Sequence, residues 1–150
     1  MKFWIGVASR DHVNNGVSWG IAQFCHGKKG PASKLKKGDR LIYYSPKDTM
    51  NGKIQCQKFT AIGVVNDDTP YQVEMAPDFK PWRRNITFTP EAVPVDIKQM
   101  VGSLGFIKNK SSWGATFRFG FLEIDRQSYM IIGEAMLGPA KFQEFDCTET

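Results

Sequence analysis

The sequence predicts an α+β fold, with a curved, mostly antiparallel sheet or small barrel of about six strands and three or four short helices. Three observations carry this. Short apolar runs rich in β-branched and aromatic residues recur along the chain. Helical stripes lie between them without the strict strand-helix alternation of a doubly wound sheet. The chain has 150 residues, which suits one domain able to bury a core without disulfide staples.

Residues 3–8 (FWIGVA) form the first strand, ended by the turn chemistry of Ser9, Arg10, Asp11 and His12. Val13, Val17, Ile21 and Phe24 are spaced as one face of a helix over 13–24, weakened by Gly16 and Gly20. Residues 25–31 read as a loop, and 32–37 as a short helical turn closed by Gly38. Residues 39–46 form a strand stopped by Pro46, expected to pair centrally with the first. A longer strand covers 54–65, with Gly63 as a candidate bulge and a turn at 66–70. Two strands follow at 71–75 and 82–89. Val95, Ile97, Met100, Val101 and Leu104 suggest a helix between Pro90 and Phe106, and 108–114 is a polar loop. Phe117, Phe119 and Phe121 alternate with Arg118 and Gly120, a period of two that predicts a strand with one apolar face. Asp125 is placed to cap a helix whose stripe is Tyr129, Ile132 and Met136 and whose end is Gly138-Pro139.

Composition excludes several classes. With 41% hydrophobic and 23% charged residues and no apolar run near the ~18 residues that cross a bilayer, a membrane span is not expected. The apolar start is too short for a signal peptide, so the expected compartment is the cytoplasm. Cys25, Cys56 and Cys147 are an odd number at irregular spacing, giving neither a disulfide framework nor a four-cysteine zinc site, and His12 and His26 add too little for a metal set. Phosphate-binding and dinucleotide-binding glycine motifs are absent, so no cofactor is expected. The net charge of +5 is polarised: residues 26–53 hold eight basic side chains against two acids, whereas 123–150 hold six acids against two bases. A basic face attracts polyanions over roughly a Debye length, ~8 Å. It also serves as an ordinary solvated surface.

Aromatic rings beside cations point to nucleic acid, because every base offers a face to stack and every phosphate a charge to neutralise. Trp82 precedes Arg83 and Arg84, which a strand sends to opposite faces, so one ring and at least one arginine should reach solvent. Trp4, Phe119 and Phe121 read as core. Cys25 and His26 are a poor nucleophile-base pair, since adjacent residues on an extended segment point apart.

Several segments together resemble the EVE domain proteins, the UPF0310 group of the PUA-like superfamily. These are residues 3–9 with Asp11 and His12; Gln23-Phe24-Cys25-His26-Gly27-Lys28; Lys37-Gly38-Asp39 leading into 42–46; Trp82-Arg83-Arg84; and Trp113-Gly114 followed by 117–124. They span residues 3 to about 136. The resemblance implies a PUA-like curved mixed sheet or pseudo-barrel and a non-enzymatic domain whose pocket accepts a modified base in DNA or RNA. Such readers are often joined to effectors, and a separate effector protein is the implied partner here. Trp19 stands where relatives look small, often glycine, and Trp82 where Phe or Tyr is usual, so ligand preference does not transfer.

Residues and resemblance together lead us to expect base capture. Tyr44, Trp82 and Trp113 would wall the slot, and Ser9, His12, Gln23, His26 and Ser45 would read the base edge. Lys28, Arg83, Arg84 and Arg118 would hold phosphates. Two alternatives stay open: a small-molecule or protein interaction module using the same pocket, and a small RNA-processing or hydrolytic enzyme using Cys25 and His26.

Overall fold

The computed structural model describes residues 1–147. Glu149, counted in the acidic C-terminal stretch, lies outside them. Along the first strand, β1 (Phe3–Val7), Phe3 and Ile5 face one apolar cluster and Trp4 another; along β3 (Arg40–Lys47), Ile42 and Tyr44 face the first and Leu41 and Tyr43 the second. A strand with a period of two and both faces covered loses its polar alternation, which is why these segments read as continuous apolar runs.

The other elements are α1 (Arg10–Trp19), β2 (Ile21–Ala22), α2 (Lys29–Lys34), β4 (Gln55–Val65), β5 (Tyr71–Gln72), β6 (Trp82–Phe88), β7 (Val95–Asp96), β8 (Phe121–Ile124), α3 (Arg126–Leu137) and α4 (Pro139–Asp146). Hydrogen bonding orders six strands as β2-β6-β4-β3-β1-β8, with β5 joined to β6 and β7 to β4. β1 and β3 are parallel and every other pair antiparallel, so the sheet is mixed and α+β as expected. The first cluster packs α3 and α4 on one face, through Tyr129, Ile132, Met136 and Phe142; the second gathers Val13 of α1 with Phe24, Leu35 and Ile86. Among the described residues no helix is long and apolar enough to cross a membrane.

Several expectations need correction. The 13–24 helix starts and stops early, because Gly20 (φ 69°) caps α1 in the left-handed region and Ile21-Ala22 then pair with β6. The β3–β4 register shifts twice: at Thr60, where Tyr43 pairs with Ala61 but Tyr44 with Phe59, and again between the Ser45–Lys58 and Lys47–Gln55 pairs. Gly63 pairs regularly with Leu41, and a Cβ there would meet Ile86 Cγ2 at 2.7 Å, so its lack of a side chain lets β6 approach. β3 runs through Pro46 and ends at Lys47. Residues 90–106 hold β7 and two 3₁₀ turns, Ile97–Gln99 and Val101–Ser103, in place of a helix; Ile97, Met100 and Leu104 are buried, with a spacing that suits either form. The predicted loop and the start of the Phe117–Phe121 strand form a 3₁₀ stretch, Lys110–Phe117. Asp125 does cap α3, accepting from Ser128 N at 3.0 Å, and the chain turns at Gly138 into α4, a helix for which the sequence pattern gives no stripe.

Candidate functional site

Parallel pairing of β1 and β3, with Val7 opposite Tyr44, sends their carboxyl ends to the same edge of the sheet, where antiparallel β8 begins. The chain after β1 (Ala8, Ser9), the chain after β3 (Thr49, Met50) and the approach to β8 (Arg118, Phe119, Gly120) therefore converge. The segment after β2 and the tip of the β5–β6 connection close the ring, and together they enclose a cleft of about 660 Å³. That volume lies within the roughly 300–1,000 Å³ of ligand sites.

The β2 exit is the most constrained wall. Cys25, His26 and Gly27 have φ of 51°, 62° and 81°, a left-handed turn in which Phe24 O accepts from Gly27 N (2.9 Å) and Lys28 N (3.1 Å). Two non-glycine residues in this region cost on the order of 1–3 kcal/mol each, a strain characteristic of binding sites. The surroundings hold it. Trp82 N donates to Gly27 O at 2.8 Å, and a Cβ on Gly27 would sit 2.2 Å from Pro81 Cβ. The Cys25 thiol donates to Phe119 O at 3.3 Å, joining this wall to the β8 approach. Cys25 and His26 thus sit on a left-handed turn and not on the extended segment the sequence suggested.

Gln23, 8% exposed, is oriented by chemistry. Arg83 Nε can only donate, so the Gln23 atom 2.9 Å from it is the oxygen, and the amide nitrogen is left as a donor with no partner among the described residues. Gln23 lines the cleft with His12 and His26, whose rings make no hydrogen bond among those residues. Ser9 Oγ donates to Asp11 Oδ1 at 2.6 Å and keeps its lone pairs; that bond, with a second from His12 N, outweighs slight desolvation and lowers the Asp11 carboxyl below its usual range.

Apolar surface at the mouth comes from Phe79 and Met50 with Phe119, which is 85% exposed. Among the described residues Lys47 and Arg118 are the charged lining residues, and no carboxylate lines the cleft. Of the residues singled out in the sequence, Ser9, His12, Gln23, His26 and Arg118 line this one cleft.

The expected aromatic walls do not. Tyr44 is 2% exposed, stacked on Phe117 at 4.2 Å, and burial, with Cys56 and Asp96 adding, pushes its phenol up. It shares a separate cleft of about 420 Å³ with Trp113. Trp82 lies at neither; Lys29 Nζ stands 4.8 Å over its ring. Ser45 is fully buried against Thr60, with the hydroxyl oxygens 2.8 Å apart. Arg84 is 0% exposed: it pairs with Asp67 Oδ1 at 2.7 Å and donates to Asp67 O and to the carbonyls of Ala32 and Leu35, so it belongs to the fold and not to a phosphate site. Lys28 is exposed beside Gly27, and Arg83 orients Gln23. Phe119, expected in the core, is instead exposed, because its alternating pattern imitates a strand where the chain forms a 3₁₀ stretch and a turn; Phe79 and Met50 carry no local signal in the sequence. Among the described residues no group of three or more His, Cys, Asp or Glu could hold a metal ion.

Comparison with known proteins is consistent across the chain. The EVE domain family model matches residues 2–135. UPF0310 proteins of Mycolicibacterium vanbaalenii (45% identical; 93% of this chain, 95% of that one), Streptococcus sanguinis (40%; 90% and 93%) and Bacillus subtilis (42%; 90% and 92%) are similar over nearly their whole length. Two solved structures share the fold: one from Rhodopseudomonas palustris, determined by NMR (14% identical, TM-score 0.56, 100% of this chain and 97% of that one), and a crystal structure from Agrobacterium tumefaciens (12%, 0.55, 94% and 97%). The chain belongs to the EVE domain family, among the UPF0310 proteins.

Proposed function

We propose that this protein is a non-catalytic nucleic-acid-binding domain that holds a single modified base in the cleft at the ends of β1 and β3. One observation carries the reading: among the described residues the lining combines apolar rings at the mouth, free hydrogen-bonding groups within, two cations and no carboxylate. Phe119 and Phe79 give a base its stacking faces, worth roughly 1–3 kcal/mol per base and indifferent to sequence. Discrimination falls to the Gln23 amide, Ser9 and the imidazoles of His12 and His26, because a base that leaves a desolvated donor unpaired is penalised. Arg118, Lys47 and the neighbouring Lys28 take phosphates. The Cys25 thiol is engaged with a backbone carbonyl, and the reading assigns it no turnover. Chemistry that follows recognition then belongs to a separate effector protein.

The test is a panel of oligonucleotides, DNA and RNA, single and double stranded, with plain and modified cytosine and adenine, titrated at several salt concentrations. Tighter binding of one modified base, with affinity falling steeply with salt, is expected. Equal binding of all bases defeats the reading, and salt-insensitive binding of a neutral small molecule supports an interaction module in its place.

A further inference from the structure

The main cleft has a neighbour on each side. A smaller hollow of about 110 Å³ lies against α1 and shares His12, Gln23 and Phe79 with the main cleft; Trp19, 57% exposed, stands in its lining. On the other side, the cleft holding Tyr44 and Trp113 shares Val7, Pro46 and Arg118 with it. Through these shared residues the main cleft adjoins both of the others, and the three together are called the groove. Among the described residues none lining any of them is a carboxylate, whereas the cleft between β6 and α4 carries Glu91 and Glu144.

Each flanking cleft offers what the central one offers. Trp19 and Trp113 supply flat faces. Asn15 supplies an amide on one side; on the other the Tyr44 hydroxyl, on a side chain that is 2% exposed, has no partner among the described residues. Gln57, also in that cleft, is held at φ 54°, a left-handed conformation inside a strand. The Arg118 guanidinium, exposed and without a partner among the described residues, stands at the boundary between the central cleft and the Trp113 cleft, where a linking phosphate would pass.

We propose that the groove binds a single strand of three nucleotides, the central base in the main cleft and its neighbours against Trp19 and Trp113. This rests on the base-capture reading and adds to it that the ligand is a strand and not a duplex with one extruded base. A stack of the usual strength corresponds to about 5- to 150-fold per added base.

The experiment is a length series of one to four nucleotides carrying the preferred base, as DNA and as RNA, with a matching duplex, on the full chain by calorimetry. Affinity should rise by such a factor at each step to three nucleotides and change little at the fourth; the two arms tell ribose from deoxyribose. Trp19→Ala should give a series with one step fewer. Trp113→Leu, which keeps apolar volume but deletes the flat face, should remove another, and quenching of Trp19 fluorescence should begin only at two nucleotides or more. A flat series on a protein that binds the mononucleotide, or a duplex that outbinds the strand, overturns the three-base groove and leaves base capture standing. No binding at any length overturns both.

Discussion

Arg83 and Arg84 are neighbours on β6 with opposite fates, because a strand turns successive side chains to opposite faces. Arg84 is enclosed by Asp67 and three backbone carbonyls, so truncation strands a partly buried carboxylate partner and several acceptors. Arg84→Ala should cost roughly 3–5 kcal/mol in urea unfolding, the usual loss on breaking a buried pair. Arg83→Ala should leave stability nearly intact and instead release Gln23. It and Gln23→Ala should each weaken binding of the preferred base by about 1 kcal/mol, roughly fivefold, and narrow the gap between modified and plain base, read by the same calorimetry. That the pair could not both be buried was legible in the sequence; which one is enclosed was not, since the choice depends on Asp67 and on the carbonyls of Ala32 and Leu35, far away along the chain.

The left-handed turn after β2 decides the shape of the site at the level of elements. Gly27→Ala would combine a strained φ with a collision against Pro81, so it should lower stability by about 1–3 kcal/mol and, in the fraction that folds, abolish base discrimination by moving His26. The α3 cap gives a check with a pH sign. Partial burial alone would raise the Asp125 carboxyl, but the two hydrogen bonds from Ser128 outweigh it and hold it below its usual 3.8. A depressed carboxyl stabilises the folded chain fully above the unfolded value and loses that contribution as pH falls through the folded one. Asp125→Ala should therefore cost about 1 kcal/mol at neutral pH, and the gap to the parent should close below pH ~4, seen in thermal unfolding at several pH values. This cap, α1 and the strands β1, β3, β4 and β6 could be seen in the sequence because local chemistry fixes them. Residues 90–106 and 117–121 could not: their apolar spacing fits several conformations, and packing against α3 and the turn at Gly120 (φ 78°) made the choice.

At the scale of the whole molecule, the net charge of +5 becomes a prediction about salt. If Lys28, Lys47 and Arg118 each neutralise a phosphate of a single strand, log affinity should fall with log salt at a slope of about −2, a loss of roughly 20-fold between 50 and 200 mM; Arg118→Gln should reduce the slope by about 0.7. A fluorescence-anisotropy titration at four salt concentrations measures both. The basic bias of residues 26–53 was plain in the sequence, but only the parallel β1–β3 pair shows which cations reach the cleft, since Arg40 turns inward to the backbone oxygens of Gly38 and Asp146. That pair is gripped from both sides, by the helices α3 and α4 on one face and by Phe24 and Val13 on the other. The floor of the cleft consequently has no freedom to spread, while Phe79, Met50 and Phe119 stand exposed on the connections around it. Ligand range in this scaffold is therefore a property of three replaceable tips, and exchanging them between two chains should carry the preference across while the melting temperature stays with the recipient.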